Sequence, residues 1–114
     1  MIIGFTGTRH GMSLEQIQSF RQLIAEKQPT GFHHGSCCGA DVEAARIVRD
    51  IRKGAICIEV HPGPEGDLHQ TDSGQDNIFH KPKTHFARNR DIVDICDMLI
   101  ACPLEMERQE RGGT

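Results

Sequence analysis

Three segments of the chain gather the residue types that bind anions or carry out acid–base and metal chemistry. The first is Thr6-Gly7-Thr8-Arg9. Small residues let backbone N–H groups approach an anion, and the hydroxyls and Arg9 add donors. No Gly-Lys-Ser/Thr follows, so this is not a Walker loop, and the glycine spacing is not that of a dinucleotide fingerprint. A tight strand-to-helix turn that needs glycine explains the same residues.

The second segment is His33-His34-Gly35-Ser36-Cys37-Cys38-Gly39-Ala40-Asp41. Gly35 and Gly39 permit close approach of a ligand, Ser36 donates, and Asp41 accepts from ribose hydroxyls. A zinc site built from His33, His34, Cys37 and Cys38 is disfavoured. Neighbours on a strand point apart, and the spacing fits no standard finger, so no metal site is expected. Cys37 or Cys38 at a helix N-terminus beside a histidine has the setting of a nucleophile. Two buried thiols in a turn is the plainer reading. The third segment is Lys83, His85, Arg88, Asn89 and Arg90. Most such runs are solvated charged faces. Here three loops converge on one edge, which favours a phosphate clamp.

The elements that position these loops alternate. Ile2 to Thr6 is a short apolar run and reads as a buried strand. Ser13 opens a helix, with Gln16 completing a capping box. Leu14, Ile17, Phe20 and Ile24 form its apolar face, which ends before Pro29. Gly31 to His34 is a short strand with Phe32 as its strongly apolar residue. A second helix runs from about Ala40 to Arg52, buries Ala44, Ile47, Val48 and Ile51, and stops at Gly54. Ala55 to Val60 is a third strand. Residues 63–80 are polar, with little beyond Leu68, Ile78 and Phe79 to anchor them, and are expected to be a flexible flap. A third helix spans about Lys83 to Ile95, with Phe86, Val93 and Ile95 as its apolar contacts. Met98 to Ala101 is the fourth strand.

This alternation predicts an α/β fold with a mostly parallel sheet in the order 3-2-1-4 and helices on both faces. In such sheets ligands bind beyond the carboxyl ends of the strands. The length, 114 residues, sets a single domain. A net charge of -3, no Trp, no Tyr and five Phe count against a nucleic-acid surface built on basic patches and stacking aromatics. No apolar run is long enough for a membrane span. The start, Met1-Ile2-Ile3-Gly4, has no basic leader and no long apolar stretch, so a reducing cytoplasm and free thiols are expected for the five cysteines. Cys57 and Cys96 read as small core hydrophobes.

Four blocks, Gly4-Phe5-Thr6-Gly7-Thr8-Arg9, His33 to Asp41, Arg88-Asn89-Arg90-Asp91-Ile92-Val93-Asp94 and Leu99-Ile100-Ala101-Cys102-Pro103, together resemble the SLOG superfamily. They occur in this order in its small, YspA-like branch. The superfamily includes DNA-processing protein A and the Lonely Guy phosphoribohydrolases. The resemblance covers nearly the whole chain and implies a Rossmann-like three-layer domain over residues 1–114 that binds a nucleotide or nucleotide derivative. It carries the binding role onto Gly7, Thr8 and Arg9, onto Gly35, Ser36, Gly39 and Asp41, and onto Arg88 and Asn89. Gly112-Gly113-Thr114 resembles the start of the superfamily's last glycine-rich phosphate loop. The family's final helix and strand, and the catalytic Glu of the phosphoribohydrolases, have no counterpart here. The chain is therefore expected to be either a shortened piece or a subunit completed by another copy. The open sheet edge favours a homo-oligomer.

The leading expectation is a sensor, carrier or sequestering protein for a nucleotide-derived ligand that the sequence does not identify, with no other cofactor. One alternative is an N-glycosidic hydrolase acting on a nucleoside monophosphate, with Asp41 or Glu107 as the carboxylate. The other is a DNA-processing protein, against which charge and composition weigh.

Overall fold

The computed structural model describes residues 1–8, 10–35, 39–64 and 78–102. Their elements are β1 (Ile2–Gly7), α1 (Leu14–Lys27), β2 (Gly31–His34), α2 (Ala40–Arg52), β3 (Cys57–Val60), β4 (Ile78–Phe79), α3 (His85–Ile95) and β5 (Met98–Cys102). The five strands form one sheet in the order β4-β3-β2-β1-β5, and every pairing is parallel. This is the expected 3-2-1-4 order with a two-residue strand, β4, added at one edge.

Side-chain alternation along β1 separates the layers. Ile3 and Phe5 are fully buried. Phe5 meets Phe20 of α1 and Phe32 of β2 at ring-centroid distances of 5.4 and 6.1 Å. Helices α1 and α2 pack on each other over this face. Gly4 points the other way, toward α3. A Cβ placed there would lie 2.8 Å from Ile92 Cγ2, so a missing side chain is what lets α3 sit close to β1.

The local signals explain most boundaries. Ser13 Oγ accepts from Gln16 N at 3.1 Å while Gln16 Oε1 accepts from Ser13 N at 2.9 Å, which closes the capping box of α1. Helix α1 ends at Gln28, in the left-handed region at φ 47°, just before Pro29. Asp97 ties β5 to the start of β1, its N–H donating to Ile2 O at 2.7 Å and its carboxylate accepting from Ile2 N at 2.8 Å.

Several expectations are corrected. β3 begins at Cys57 rather than Ala55, and Cys57 is exposed rather than a core residue. Leu14 is 78% exposed, because it sits at the first turn of α1, beyond the core that Phe20 and Ile24 fill. Helix α2 ends through Lys53 at φ 54°, not through Gly54. Helix α3 starts at His85, with the Thr84 hydroxyl accepting from Ala87 N at 3.2 Å. Its Phe86, Val93 and Ile95 are exposed, whereas Arg88 and Ile92 are buried. The helix is rotated from its apolar pattern because Arg88 has backbone acceptors inside the fold. The expected flap over residues 63–80 ends in β4, whose Ile78 and Phe79 pair with Glu59 and Val60. Residues 65–77 lie outside the described residues. Among the described residues, no helix is long and apolar enough to cross a membrane.

Candidate functional site

The carboxyl ends of β1 and β2 meet the start of α2. Gly7 abuts Ala40 so closely that a Cβ on Gly7 would lie 2.5 Å from Ala40 Cβ. Ala40 N donates to Thr8 O at 3.0 Å, which fixes the β1 loop on the helix terminus. Gly39 is the N-cap of α2, at φ 91°, and offers no side-chain cap. Asp41, 3% exposed, accepts from Gly35 N through Oδ2 at 3.1 Å. A buried carboxylate in the first turn also complements the helix dipole.

Arg88 reaches the same edge from α3. Nη1 donates to Gly35 O at 2.7 Å and to His61 O at 3.0 Å. Nη2 lies 3.0 Å from His85 Nδ1, and Nε donates to Asn89 Oδ1 at 2.7 Å. Arg88 is 7% exposed. Arg88 is thus not a solvated guanidinium at a loop edge: it braces the Gly35 turn against the end of β3. Asn89 and Arg90 are exposed. Lys83 is paired with Asp91 at 2.5 Å, and that hydrogen bond holds the Asp91 carboxyl below its ordinary range.

The structure thus brings together Gly7, Thr8, Gly35, Gly39, Asp41, Arg88 and Asn89 through these contacts. Arg9, Ser36, Gly112, Gly113 and Thr114 lie outside the described residues, as do Cys37, Cys38 and Glu107. Cys102 joins the edge from β5, opposite Gly7 in register. Burial, followed by the charge of Asp41, pushes its thiol pKa up, so it is a poor nucleophile.

A second cluster was not legible as a site in the sequence. His33 and His34 face opposite sides of β2, as neighbours on a strand must. His34 is fully buried beside Phe32, with ring centroids 6.0 Å apart. Burial, then the charges of His61, Arg49, His33 and Arg88, lower its pKa to about 3. His33 faces the α3 side, where it is opposite Glu59 in the β2–β3 register. His33 Nδ1 is 2.8 Å from His61 Nε2, and His33 Nε2 is 3.8 Å from Glu59 Oε2. His80 Nε2 donates to Glu59 Oε1 at 2.8 Å, and the His80 ring stacks on His61 with centroids 4.0 Å apart and planes 10° apart. Burial lowers the pKa of His33 and takes His61 down to about 4. These residues line a 380 Å³ cleft with Ile2, Asp91, Asp94 and Ile95.

The signal for this cluster was the Glu59-Val60-His61 spacing at a strand end, which puts both side chains on one face. Its partners His33 and His80 come from separate strands and appear only once the register is known.

By fold, this is an all-parallel α/β protein whose strand-to-helix junctions meet at the carboxyl edge of the sheet. The chain matches no known family model, no curated protein and no solved structure.

Proposed function

We propose that the protein binds a nucleotide or nucleotide-derived anion at the carboxyl edge of the sheet, as a sensor, carrier or sequestering protein. The observation that carries this reading is the Gly7–Ala40 abutment. It sets the end of β1 directly against the start of α2, whose N-cap, Gly39, has no side chain of its own to cap the helix. Helix N-termini of this kind favour anions. The resemblance to the SLOG superfamily supports the same edge and adds Arg9 and Ser36 as donors. Arg88 acts here by holding the Gly35 turn, and Asn89 next to it is exposed, with its Oδ1 accepting from Arg88 Nε. Asp41 is engaged by Gly35 N, which favours a binding role over a hydrolytic one for this carboxylate.

Calorimetric titration against nucleoside mono-, di- and cyclic phosphates and adenosine diphosphoribose tests the proposal. One of these should bind, and Arg9→Ala should weaken it about tenfold to a hundredfold by removing a charge-assisted contact. A panel on which nothing binds, or an affinity unchanged by both Arg9→Ala and Asn89→Ala, rejects it.

We also read the open β5 edge as the contact with a second copy, in a cytoplasmic homo-oligomer. Leu99 on β5 and Val93 on α3 are exposed and line a common surface pocket, and Phe86 on α3 is exposed as well. Light scattering should give a multiple of the chain mass, and Leu99→Lys should reduce it to one.

A further inference from the structure

We propose that His33, Glu59 and His61 bind a divalent transition-metal ion of the zinc class, with His80 positioning the Glu59 carboxylate and one coordination position facing the cleft. This site lies on the α3 side of β2 and β3 and does not rest on the nucleotide reading. It departs from the expectation of no metal site, which was argued from the spacing of the cysteines and histidines along the chain.

The donor set has the right chemistry. Two imidazoles and one carboxylate suit zinc and its neighbours, whereas calcium and magnesium prefer oxygen alone. The donor atoms of the three residues all lie within 4.8 Å of one another. A tetrahedral centre with bonds of about 2.0–2.1 Å separates its ligand atoms by roughly 3.3 Å. These approaches use both His33 nitrogens, Nδ1 to His61 Nε2 at 2.8 Å and Nε2 to Glu59 Oε2 at 3.8 Å, and with one donor atom from each residue the set stays within 4.8 Å. Small side-chain adjustments would therefore admit an ion.

The donors are also held in place. His33 and Glu59 are register partners on β2 and β3. His61 follows β3 directly, and its carbonyl oxygen is fixed by Arg88 Nη1 at 3.0 Å. His80 Nε2 donates to Glu59 Oε1, leaving Oε2 directed to His33. Carboxylates that ligate metals are commonly oriented by such a hydrogen bond. Asp91, also in the cleft, is paired with Lys83 and is left out of the ligand set. Three protein ligands leave a fourth position, and the 380 Å³ cleft gives it room for water or an oxyanion.

Titration of untagged, metal-free protein with cobalt(II) and with zinc tests the proposal. The wild type should bind one ion per chain, and cobalt should develop the visible absorption of a four- or five-coordinate centre. Glu59→Gln and His61→Ala should each weaken binding by on the order of a hundredfold or more. His80→Ala should weaken it about tenfold to a hundredfold and shift the cobalt spectrum. His10→Ala, an exposed histidine outside the cluster, should change nothing. Glu59→Gln is isosteric and carries the test if His33→Ala fails to fold. Absence of saturable one-to-one binding, or binding that survives both Glu59→Gln and His61→Ala, overturns the site. A cobalt spectrum unchanged in His80→Ala overturns the positioning role.

Discussion

The Nη1 of Arg88 donates to the carbonyl oxygen of Gly35 at 2.7 Å, and it can do so only because Gly35 has no side chain. A Cβ on Gly35 would stand 2.5 Å from that same nitrogen and 3.2 Å from Asp41 Oδ2. One glycine thus makes room for a guanidinium and a carboxylate at the turn between β2 and α2. Gly35→Ala should displace Arg88 and loosen both turns. Arg88→Ala should leave the carbonyls of Gly35 and His61 without this donor, at a cost of about 3 kcal/mol or more, since each buried acceptor left unsatisfied costs about 1–3 kcal/mol. Arg88→Lys should recover little, because one ammonium cannot reproduce the fork. Urea denaturation is the measurement. An Arg88→Ala midpoint equal to that of the wild type would show that the guanidinium is dispensable to the fold.

Gly7 and Gly54 should respond oppositely to the same substitution. Gly7→Ala forces a methyl group against Ala40 and Phe5 and should cost about 1–3 kcal/mol as an overpacked contact. Gly54 has no atom within 4 Å of an added Cβ. Gly54→Ala should therefore be neutral, or stabilise by about 0.4–1 kcal/mol through the unfolded chain. Thermal melts of the two variants side by side check this, and equal losses would contradict it.

The contrast at Gly54 also shows where sequence and structure part. The end of α2 was expected at a glycine, yet the strained backbone is one residue earlier, at Lys53 with φ 54° and ψ -121°. Lys53→Gly should relieve it and stabilise by about 1 kcal/mol. A lower denaturation midpoint in Lys53→Gly would mean that the Lys53 side chain contributes more than its backbone costs.

The strands, their parallel order and the capping box of α1 were legible because each rests on local chemistry: apolar runs, glycine turns, and a serine three residues before a glutamine. The orientation of α3 was not. Its apolar residues Phe86, Val93 and Ile95 suggested one buried face, but the buried polar contact of Arg88 with Gly35 and His61 sets another. Such a contact joins residues far apart in the chain and leaves no periodic trace. The same holds for the histidine cluster. The chain has seven histidines, but only the β2–β3 register puts His33 opposite Glu59. β4 was missed because two exposed residues carry no strand pattern.

The last prediction concerns acid stability. His34 is fully buried, and its pKa falls from the ordinary 6.5 to about 3 in the folded chain. Desolvation is the main cause, and the charged or titratable groups that face it, His61, Arg49, His33 and Arg88, all disfavour a further positive charge. Below pH 6.5 the unfolded chain takes up a proton that folded His34 refuses. Stability is therefore complete above about pH 6.5 and is lost as pH falls toward 3, by about 1.4 kcal/mol per pH unit for this one group. Denaturant midpoints measured from pH 8 down to 5 should be flat at first and then decline. His34→Gln keeps a polar side chain but cannot titrate, so its decline between pH 6.5 and 5 should be shallower by about that slope. Parallel curves for wild type and His34→Gln would show that His34 is protonated in the folded state, and that burial does not hold it neutral.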